Sequence, residues 1–226
     1  MLLYYITDRA QFPGDEAARR RSLLGKIADA TRAGVDFIQL REKDLSSHEL
    51  EVLAGLAMET ILENSLPHGG RTRLLINSRA DVAIACGADG VHLRSDDISA
   101  AEVREAWARS VRKQEMPVVG ISCHTAKEVA CATSIGANFA VFAPVFEKRD
   151  AHPVGTAALR VACGHKIPIL ALGGVTLENA RTCIDAGAAG IAGIRLFQTN
   201  DISGVVRRLR SSLTLGSTAK PRLGLC

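Results

Sequence analysis

Four times along the chain, an amphipathic stretch ends at a glycine and a short apolar run begins. These glycines, Gly34, Gly87, Gly136 and Gly187, follow one another at spacings of 53, 49 and 51 residues. A glycine just after a helix can adopt the left-handed conformation that closes the last turn, and a run rich in Val, Ile and Phe suits a buried parallel strand. Since one further strand and helix fit between successive glycines, the repeat predicts eight strand-helix units.

Eight parallel strands, each followed by a helix, predict an α/β protein with a closed (β/α)8 barrel (a TIM barrel), and 226 residues suit that fold. An open doubly wound sheet is the alternative, but the even repeat favours closure. We assign one barrel domain to residues 1–212 and expect a flexible C-terminal tail at 213–226. The predicted strands lie at residues 2–7, 37–41, 74–77, 90–93, 118–122, 139–145, 169–172 and 191–196.

Composition narrows the classes of protein that fit. The net charge of +4 is small and dispersed, which argues against a nucleic-acid partner. No apolar run approaches the length of a membrane span, and the chain enters its first strand without a charged start and cleavage site, so we expect no membrane partner. The six cysteines show no close-paired ligand spacing, which favours reduced thiols and a cytoplasmic location.

Polar residues at the carboxyl ends of the strands are the candidates for chemistry, because barrels of this class collect their active sites there. At the end of the second strand, Gln39, Arg41 and Lys43 alternate with period two and point to one side if the run is extended. Two cations and an amide that converge at the barrel mouth suit a phosphate or a pyrophosphate. The alternative is a solvated strand end in which Arg41, Glu42 and Lys43 form internal ion pairs.

The fourth and fifth strand ends are also polar. The carboxylates of Asp96 and Asp97 could hold a hard cation such as Mg²⁺ beside a phosphate, or one of them could only cap the helix that follows. Ser122 and His124 follow the fifth strand, where a histidine can merely fill a turn. His92 lies within an apolar run, and the preferred interpretation is a core histidine with satisfied hydrogen bonds.

The seventh and eighth strand ends predict a phosphate site. Gly173 and Gly174 follow the seventh strand, and Arg195 lies near the end of the eighth. In barrels a phosphate often binds between these two loops, where glycines let backbone N–H groups approach it. The alternative is that the two glycines only make the turn into the next helix.

Six motifs occur in order over nearly the whole chain. They are Tyr-Ile-Thr-Asp at 5–8, Ile-Gln-Leu-Arg-Glu-Lys at 38–43, Leu-Ile-Asn at 75–77, Gly-Ala-Asp-Gly-Val-His-Leu at 87–93, Gly-Ile-Ser-Cys-His-Thr at 120–125 and Leu-Gly-Gly-Val-Thr at 172–176. Any one motif is weak, but the ordered set is highly specific. It resembles the superfamily of thiamine phosphate synthases and thiazole tautomerases, which are barrel proteins.

The synthase branch implies a transferase that joins hydroxymethylpyrimidine diphosphate to thiazole phosphate and releases pyrophosphate, in thiamine biosynthesis. The resemblance also implies Mg²⁺ as the cofactor, at Asp97 with Asp96 as its neighbour, and a homodimer. Lys43, Ser122 and His124 are then the catalytic candidates. The implied substrate-binding residues are Gln39, Arg41, Lys43, Asn77, Ser122, Lys148, Gly173, Gly174 and Arg195.

Three departures from the synthase pattern accompany these matches. Ser78 stands where synthases have a metal-binding aspartate. The sixth loop lacks the synthase run Pro-Thr-x-Thr-Lys, so that Lys148 alone stands for the family lysine. Ile194 and Arg195 replace the usual Val-Ser pair.

These departures keep two alternatives open. A tautomerase would move protons on a thiazole carboxylate phosphate without metal, and His124 suits such acid-base work. A degenerate barrel that binds a thiamine precursor and regulates without turnover is the third hypothesis. The motif at 38–43 and the Asp96–Asp97 pair favour the synthase.

Overall fold

A computed structural model describes residues 1–65, 70–94, 96–110, 115–147 and 152–211. Its eight parallel strands pair in chain order, and the first also pairs with the last, so that the sheet closes into the predicted barrel. The strands are β1 (Leu2–Ile6), β2 (Phe37–Leu40), β3 (Arg73–Asn77), β4 (Gly90–Leu93), β5 (Val118–Cys123), β6 (Phe139–Phe142), β7 (Ile169–Ala171) and β8 (Gly190–Gly193). The predicted tail at 213–226 lies outside the described residues.

Several helices begin where a side chain accepts the amide of the first turn. Asp15, Ser46, Ser99 and Thr125 each accept a hydrogen bond from the backbone N–H three residues further on. None of the described helices combines the length and the apolar character that crossing a membrane requires. The helices are α1 (Glu16–Arg32), α2 (Ser47–Asn64), α3 (Ala80–Cys86), α4 (Ala100–Ala108), α5 (Ala126–Ser134), α6 (Gly155–Ala162), α7 (Ala180–Asp185), α8 (Arg195–Gln198) and α9 (Ile202–Ser211), with a short 3-10 helix at Arg9–Gln11.

The four repeated glycines adopt the conformation that the sequence predicts. Their φ angles are 75° at Gly34, 71° at Gly87, 73° at Gly136 and 104° at Gly187, all in the region that favours glycine. Each glycine closes the turn between a helix and the following strand. The repeat therefore marks the even-numbered strands of the barrel.

A polar residue two positions after three of these glycines ties neighbouring strands together. The side chain of Asp36 accepts the backbone N–H of Leu3 at 2.9 Å, and Asp89 accepts that of Leu74 at 2.9 Å. Asn138 accepts the N–H of Val119 at 2.8 Å. In each case the first residues of an even strand satisfy an amide of the odd strand before it, which fixes the register at the bottom of the barrel.

Alternating strand residues build two apolar layers. Outward-facing residues such as Leu3 and Ile38 pack under the helices, and inward-facing residues fill the barrel. Inside it, Tyr4 meets Phe37 and Phe139 edge to face, with ring centroids 6.0 and 5.4 Å apart. These rings form an apolar plug below the carboxyl ends of the strands.

Two predicted strands extend too far, whereas the other six agree with the structure to within one residue. β6 ends at Phe142, because Pro144 has no N–H to continue the ladder. β8 ends at Gly193, and the carbonyl of Ile194 instead accepts the N–H of Gln198 at 2.9 Å, within the turn of α8. Arg195 therefore begins a short helix and is not the end of a strand.

We predict that Gly190→Ala destabilises the barrel at its seam. A Cβ on Gly190 would overlap the carbonyl oxygen of Leu2 on β1, which is backbone and cannot move aside. Overpacking of this kind costs about 1–3 kcal/mol, measurable as a lower midpoint of urea unfolding.

Gly25→Ala is the matched control. Gly25 lies in the exposed middle of α1 with nothing within 4 Å of an added Cβ. Alanine there should stabilise the protein by about 0.5–1 kcal/mol. Equal midpoints for the two variants would contradict this account of the seam.

Candidate active site

The carboxyl ends of the strands surround one open cavity of about 900 Å³. Asp97 lies outside it, in a smaller neighbouring hollow with Ser78, and Lys148 lies outside the described residues. The structure thus brings most of the predicted site residues together, and their roles remain predictions. The predicted residues that line the cavity are Gln39, Arg41, Lys43, Asn77, Asp96, Ser122, His124, Gly173, Gly174 and Arg195.

Buried Glu42 explains how the two cations after β2 come to line the cavity. Its carboxylate accepts hydrogen bonds from Thr7 Oγ1 at 2.6 Å and from the backbone N–H of Arg9 at 3.0 Å. Thr7 Oγ1 also accepts the backbone N–H of Arg41 at 3.0 Å. The ion pairing that the sequence left open therefore involves Glu42, while Arg41 and Lys43 line the cavity.

Arg9 completes this network, which was not predicted. Its guanidinium lies 3.1 Å from Glu42 and makes a two-point contact with Asp44 at 2.7 and 2.9 Å. Burial raises the pKa of Glu42, and the hydrogen bonds from Thr7 and Arg9 oppose that effect. Arg9 lies three residues after the end of β1, and nothing in the local sequence marks it as buried, because arginine is mostly exposed.

Amide and hydroxyl groups form the inner wall. Gln39 Nε2 donates to Asn77 Oδ1 at 3.0 Å, which joins the ends of β2 and β3. Asn77 Nδ2 donates in turn to Ser78 Oγ at 3.2 Å. The paired amides present a fixed set of donors and acceptors to a heterocycle or a phosphate.

His92 is a core histidine with satisfied hydrogen bonds, as the sequence suggests, and it also contacts the cavity. Its Nδ1 lies 3.2 Å from the hydroxyl of Tyr4, and its Nε2 lies 2.9 Å from Ser122 Oγ. Burial, assisted by the charge of Arg41, lowers the pKa of His92 to about 3, so the ring is neutral. The participation of Tyr4 was missed, although period-two alternation already places it on the inward side of β1.

His124 does more than fill a turn. It lines the cavity, and its Nδ1 lies 2.7 Å from the carbonyl oxygen of Ala143. A carbonyl only accepts, so Nδ1 carries a proton, and Nε2 is the ring nitrogen left to contact a ligand. The backbone N–H of His124 donates to Glu128 at 2.6 Å, which holds the residue at the start of α5.

The two aspartates share one arginine. The Arg94 guanidinium lies 3.4 Å from Asp96 and 3.3 Å from Asp97. Neither aspartate caps α4, because Ser99 does so in a capping box with Glu102. Burial would raise the pKa of Asp97, but hydrogen bonds from the Arg94 backbone, Ser78 and the Arg94 guanidinium lower it below its usual value.

The glycine loop after β7 has free donors. Gly173 and Gly174 have φ angles of 92° and 63°, and a Cβ on either would collide with the loop after β6. Within the described part of the chain, the N–H groups of Gly173, Gly174 and Val175 have no acceptor, and all three residues line the cavity. The loop is not a simple turn into a helix, since α7 begins at residue 180. Consecutive free N–H groups of this kind bind anions.

The fold and this site define a (β/α)8 barrel whose mouth combines cations with a glycine loop suited to phosphate. A family model described as thiamine monophosphate synthase matches residues 3–197, and the chain belongs to that family.

Related proteins are similar to this chain over most of its length. The thiamine-phosphate synthase of Syntrophomonas wolfei is 36% identical and covers 92% of this chain and 94% of its own length. That of Halalkalibacterium halodurans is 35% identical, with 89% and 90% covered. The structure of thiamine phosphate pyrophosphorylase from Pyrococcus furiosus superposes with a TM-score of 0.75 at 27% identity, over 93% of this chain and 94% of that one.

We predict that Thr7→Val destabilises the end of β2. Valine matches threonine in shape but leaves the Glu42 carboxylate without its 2.6 Å donor and the N–H of Arg41 without an acceptor. Unsatisfied buried polar groups cost about 1–3 kcal/mol, which urea unfolding would report.

Thr31→Val is the control for this prediction. Thr31 is equally buried, but its hydroxyl donates only to the carbonyl of Ile27 within α1, which keeps its helical bond. We expect a change within about 0.5 kcal/mol. Similar losses in both variants would refute the role assigned to Thr7.

Proposed function

We propose that this chain is a transferase that joins hydroxymethylpyrimidine diphosphate to thiazole phosphate, forming thiamine phosphate and pyrophosphate. The observation that carries the proposal is the presence, at one mouth, of a cationic strand end and a separate glycine loop whose N–H groups have no acceptor among the described residues. The reaction needs both, because one substrate brings a diphosphate and the other a monophosphate. A cavity of about 900 Å³ suits two small substrates held together.

The difficult step is the departure of the diphosphate. The bond between the methylene carbon and the diphosphate oxygen breaks, and its electron pair leaves with pyrophosphate. The amino-pyrimidine ring stabilises the resulting cation, and the thiazole nitrogen then forms the new C–N bond. In this proposal Arg41 and Lys43 neutralise the charge that develops on the leaving group.

The remaining residues hold the two substrates in reacting geometry. The Gln39–Asn77 pair orients the pyrimidine diphosphate, and Ser122 donates a hydrogen bond to it. The glycine loop and Arg195 hold the thiazole phosphate. His124 accepts a substrate hydrogen bond at Nε2, and Lys148 contributes a further charge.

The oxygen donors near β4 fit Mg²⁺. In this proposal Asp97, Asp96 and the Ser78 hydroxyl hold it, with substrate phosphates and waters as the other ligands, as Mg²⁺ prefers. When bound, it supplies positive charge to the leaving diphosphate. Within the described residues, no group of three His, Cys, Asp or Glu side chains is arranged to hold a metal ion.

The alternatives have less support. The His124 geometry suits the tautomerase reaction, but the relatives reported above are named synthases. The cytoplasmic location and the homodimer stay predictions.

In the direct test, the protein is incubated with both substrates in the presence of either Mg²⁺ or a chelator, and the products are quantified by mass spectrometry. We expect thiamine phosphate and pyrophosphate in equal amounts, and only with Mg²⁺. Folded protein that yields neither would overturn the proposal, and product with chelator would overturn the metal's role.

A pair of arginine variants localises the activity. Arg41→Ala should lower kcat by about 10²- to 10³-fold, as expected for loss of one charge-stabilising donor. Arg21→Ala, on the exposed face of α1, should leave activity unchanged.

We predict that Ser78→Asp increases the affinity for Mg²⁺. Ser78 has a φ of 58°, which aspartate tolerates better than most residues, and the new carboxylate would lie beside Asp97. The Mg²⁺ concentration for half-maximal activity should fall about tenfold, which corresponds to about 1.4 kcal/mol. Ser78→Asn, of equal size but neutral, should not reproduce this shift, and an equal shift in both variants would exclude Asp97 and residue 78 as a metal pair.

A further inference from the structure

A hydrogen-bonded chain runs from the apolar plug of the barrel to the cavity. It links the hydroxyl of Tyr4 on β1, the ring of His92 on β4 and the hydroxyl of Ser122 on β5. Tyr4 and His92 are buried, and His92 and Ser122 both line the cavity. The ring of Phe139 packs against both buried members, with centroids 5.4 Å from Tyr4 and 6.3 Å from His92.

The hydrogen bonds of this chain can run in two directions, which differ in the nitrogen of His92 that carries the ring proton. A neutral imidazole has one N–H donor and one acceptor nitrogen. If Nδ1 donates to Tyr4, Ser122 must donate to Nε2, and its hydroxyl proton points away from the cavity. If Tyr4 donates to Nδ1, then Nε2–H donates to Ser122 Oγ, and the Ser122 proton is available to a ligand.

Burial selects the second direction. Among the described residues, His92 is the only hydrogen-bond partner of the Tyr4 hydroxyl. In the first direction the phenol proton would be buried without an acceptor, at a cost of about 1–3 kcal/mol. In the second direction every buried donor is satisfied. The one remaining proton is that of Ser122, which lies where a ligand can accept it.

We propose that Tyr4 and His92 are positioning residues that fix the Ser122 hydroxyl as a hydrogen-bond donor toward an anionic oxygen in the cavity. The assignment of this oxygen to the departing diphosphate rests on the proposed function. The direction of the hydrogen-bonded chain is independent of that function, because it follows from the buried groups alone. No proton is transferred, so the device acts only by orientation.

The tautomer of His92 tests the direction without any substrate. Protein with ¹⁵N-labelled histidine should show His92 protonated at Nε2 and not at Nδ1 by NMR. The signal is assigned by its loss in His92→Gln and, independently, by contacts between its ring protons and those of Phe139. Protonation at Nδ1 would overturn the proposal even if the protein is an active synthase.

Kinetics test the positioning. Ser122→Ala should lower kcat about 10²-fold, and His92→Leu about tenfold, with little change in KM. His92→Gln places an amide donor near the position of Nε2 and should recover part of that loss. The double variant Ser122→Ala with His92→Leu should be no slower than Ser122→Ala alone, because His92 acts through Ser122.

A purely structural histidine would behave differently. Replacing such a histidine by leucine would lower kcat of the Ser122→Ala variant by the same factor as it lowers kcat of the wild type, and His92→Gln would give no recovery. That result would overturn the positioning role. Absence of product from the wild-type protein would contradict the proposed function but would leave the NMR test of direction intact.

Discussion

Backbone pairing between β1 and β8 is the constraint on which the site depends. Leu2 to Tyr5 run alongside Gly190 to Gly193, and only once this seam closes do all eight carboxyl ends face one cavity. The close approach of β8 to β1 requires glycine at position 190. The close approach of β4 to β5 requires glycine at position 90 in the same way. Glycine thus acts in two ways in the second and fourth repeats, in the left-handed turns at Gly87 and Gly187 and in the close contacts at Gly90 and Gly190.

Within the closed barrel, depth determines what a residue type can do. Tyr4, Phe37 and Phe139 fill the lower layer, where no water reaches, and the amides and cations lie above them. Because the Glu42 carboxylate is buried and finds its partners in Thr7 and Arg9, its neighbours Arg41 and Lys43 are left to face the cavity. A buried anion with enough donors therefore positions two cations that solvent alone would leave mobile.

The sequence predicts most of the fold because its signals are local. A left-handed glycine and an apolar run are recognisable without tertiary information, and so is the polarity of each strand end. The predictions for β6 and β8 run too far, because Val145, Ile194 and Leu196 are apolar residues in loop or helix positions. Pro144 already indicated the end of β6. The Arg9 network joins the loops after β1 and β2, and the Tyr4–His92–Ser122 chain joins β1, β4 and β5. No single-sequence pattern specifies such contacts. The position of Asp97 outside the cavity depends likewise on how the loop after β4 folds around Arg94.

Two of the departures from the synthase pattern make the cavity mouth more positive. Ser78 removes an anion that the resemblance implies, and Arg195 adds a cation where a serine is usual. Arg94 already neutralises part of the Asp96–Asp97 pair, so a divalent ion held there, as proposed, would compete with the Arg94 guanidinium. In a partly enclosed cavity, such fixed charges attract phosphate groups more strongly than they would in open solvent. In the proposed function, the chain therefore binds Mg²⁺ more weakly and attracts phosphate groups more strongly than the synthase pattern implies, with Ser78 acting at the diphosphate and Arg195 at the thiazole phosphate.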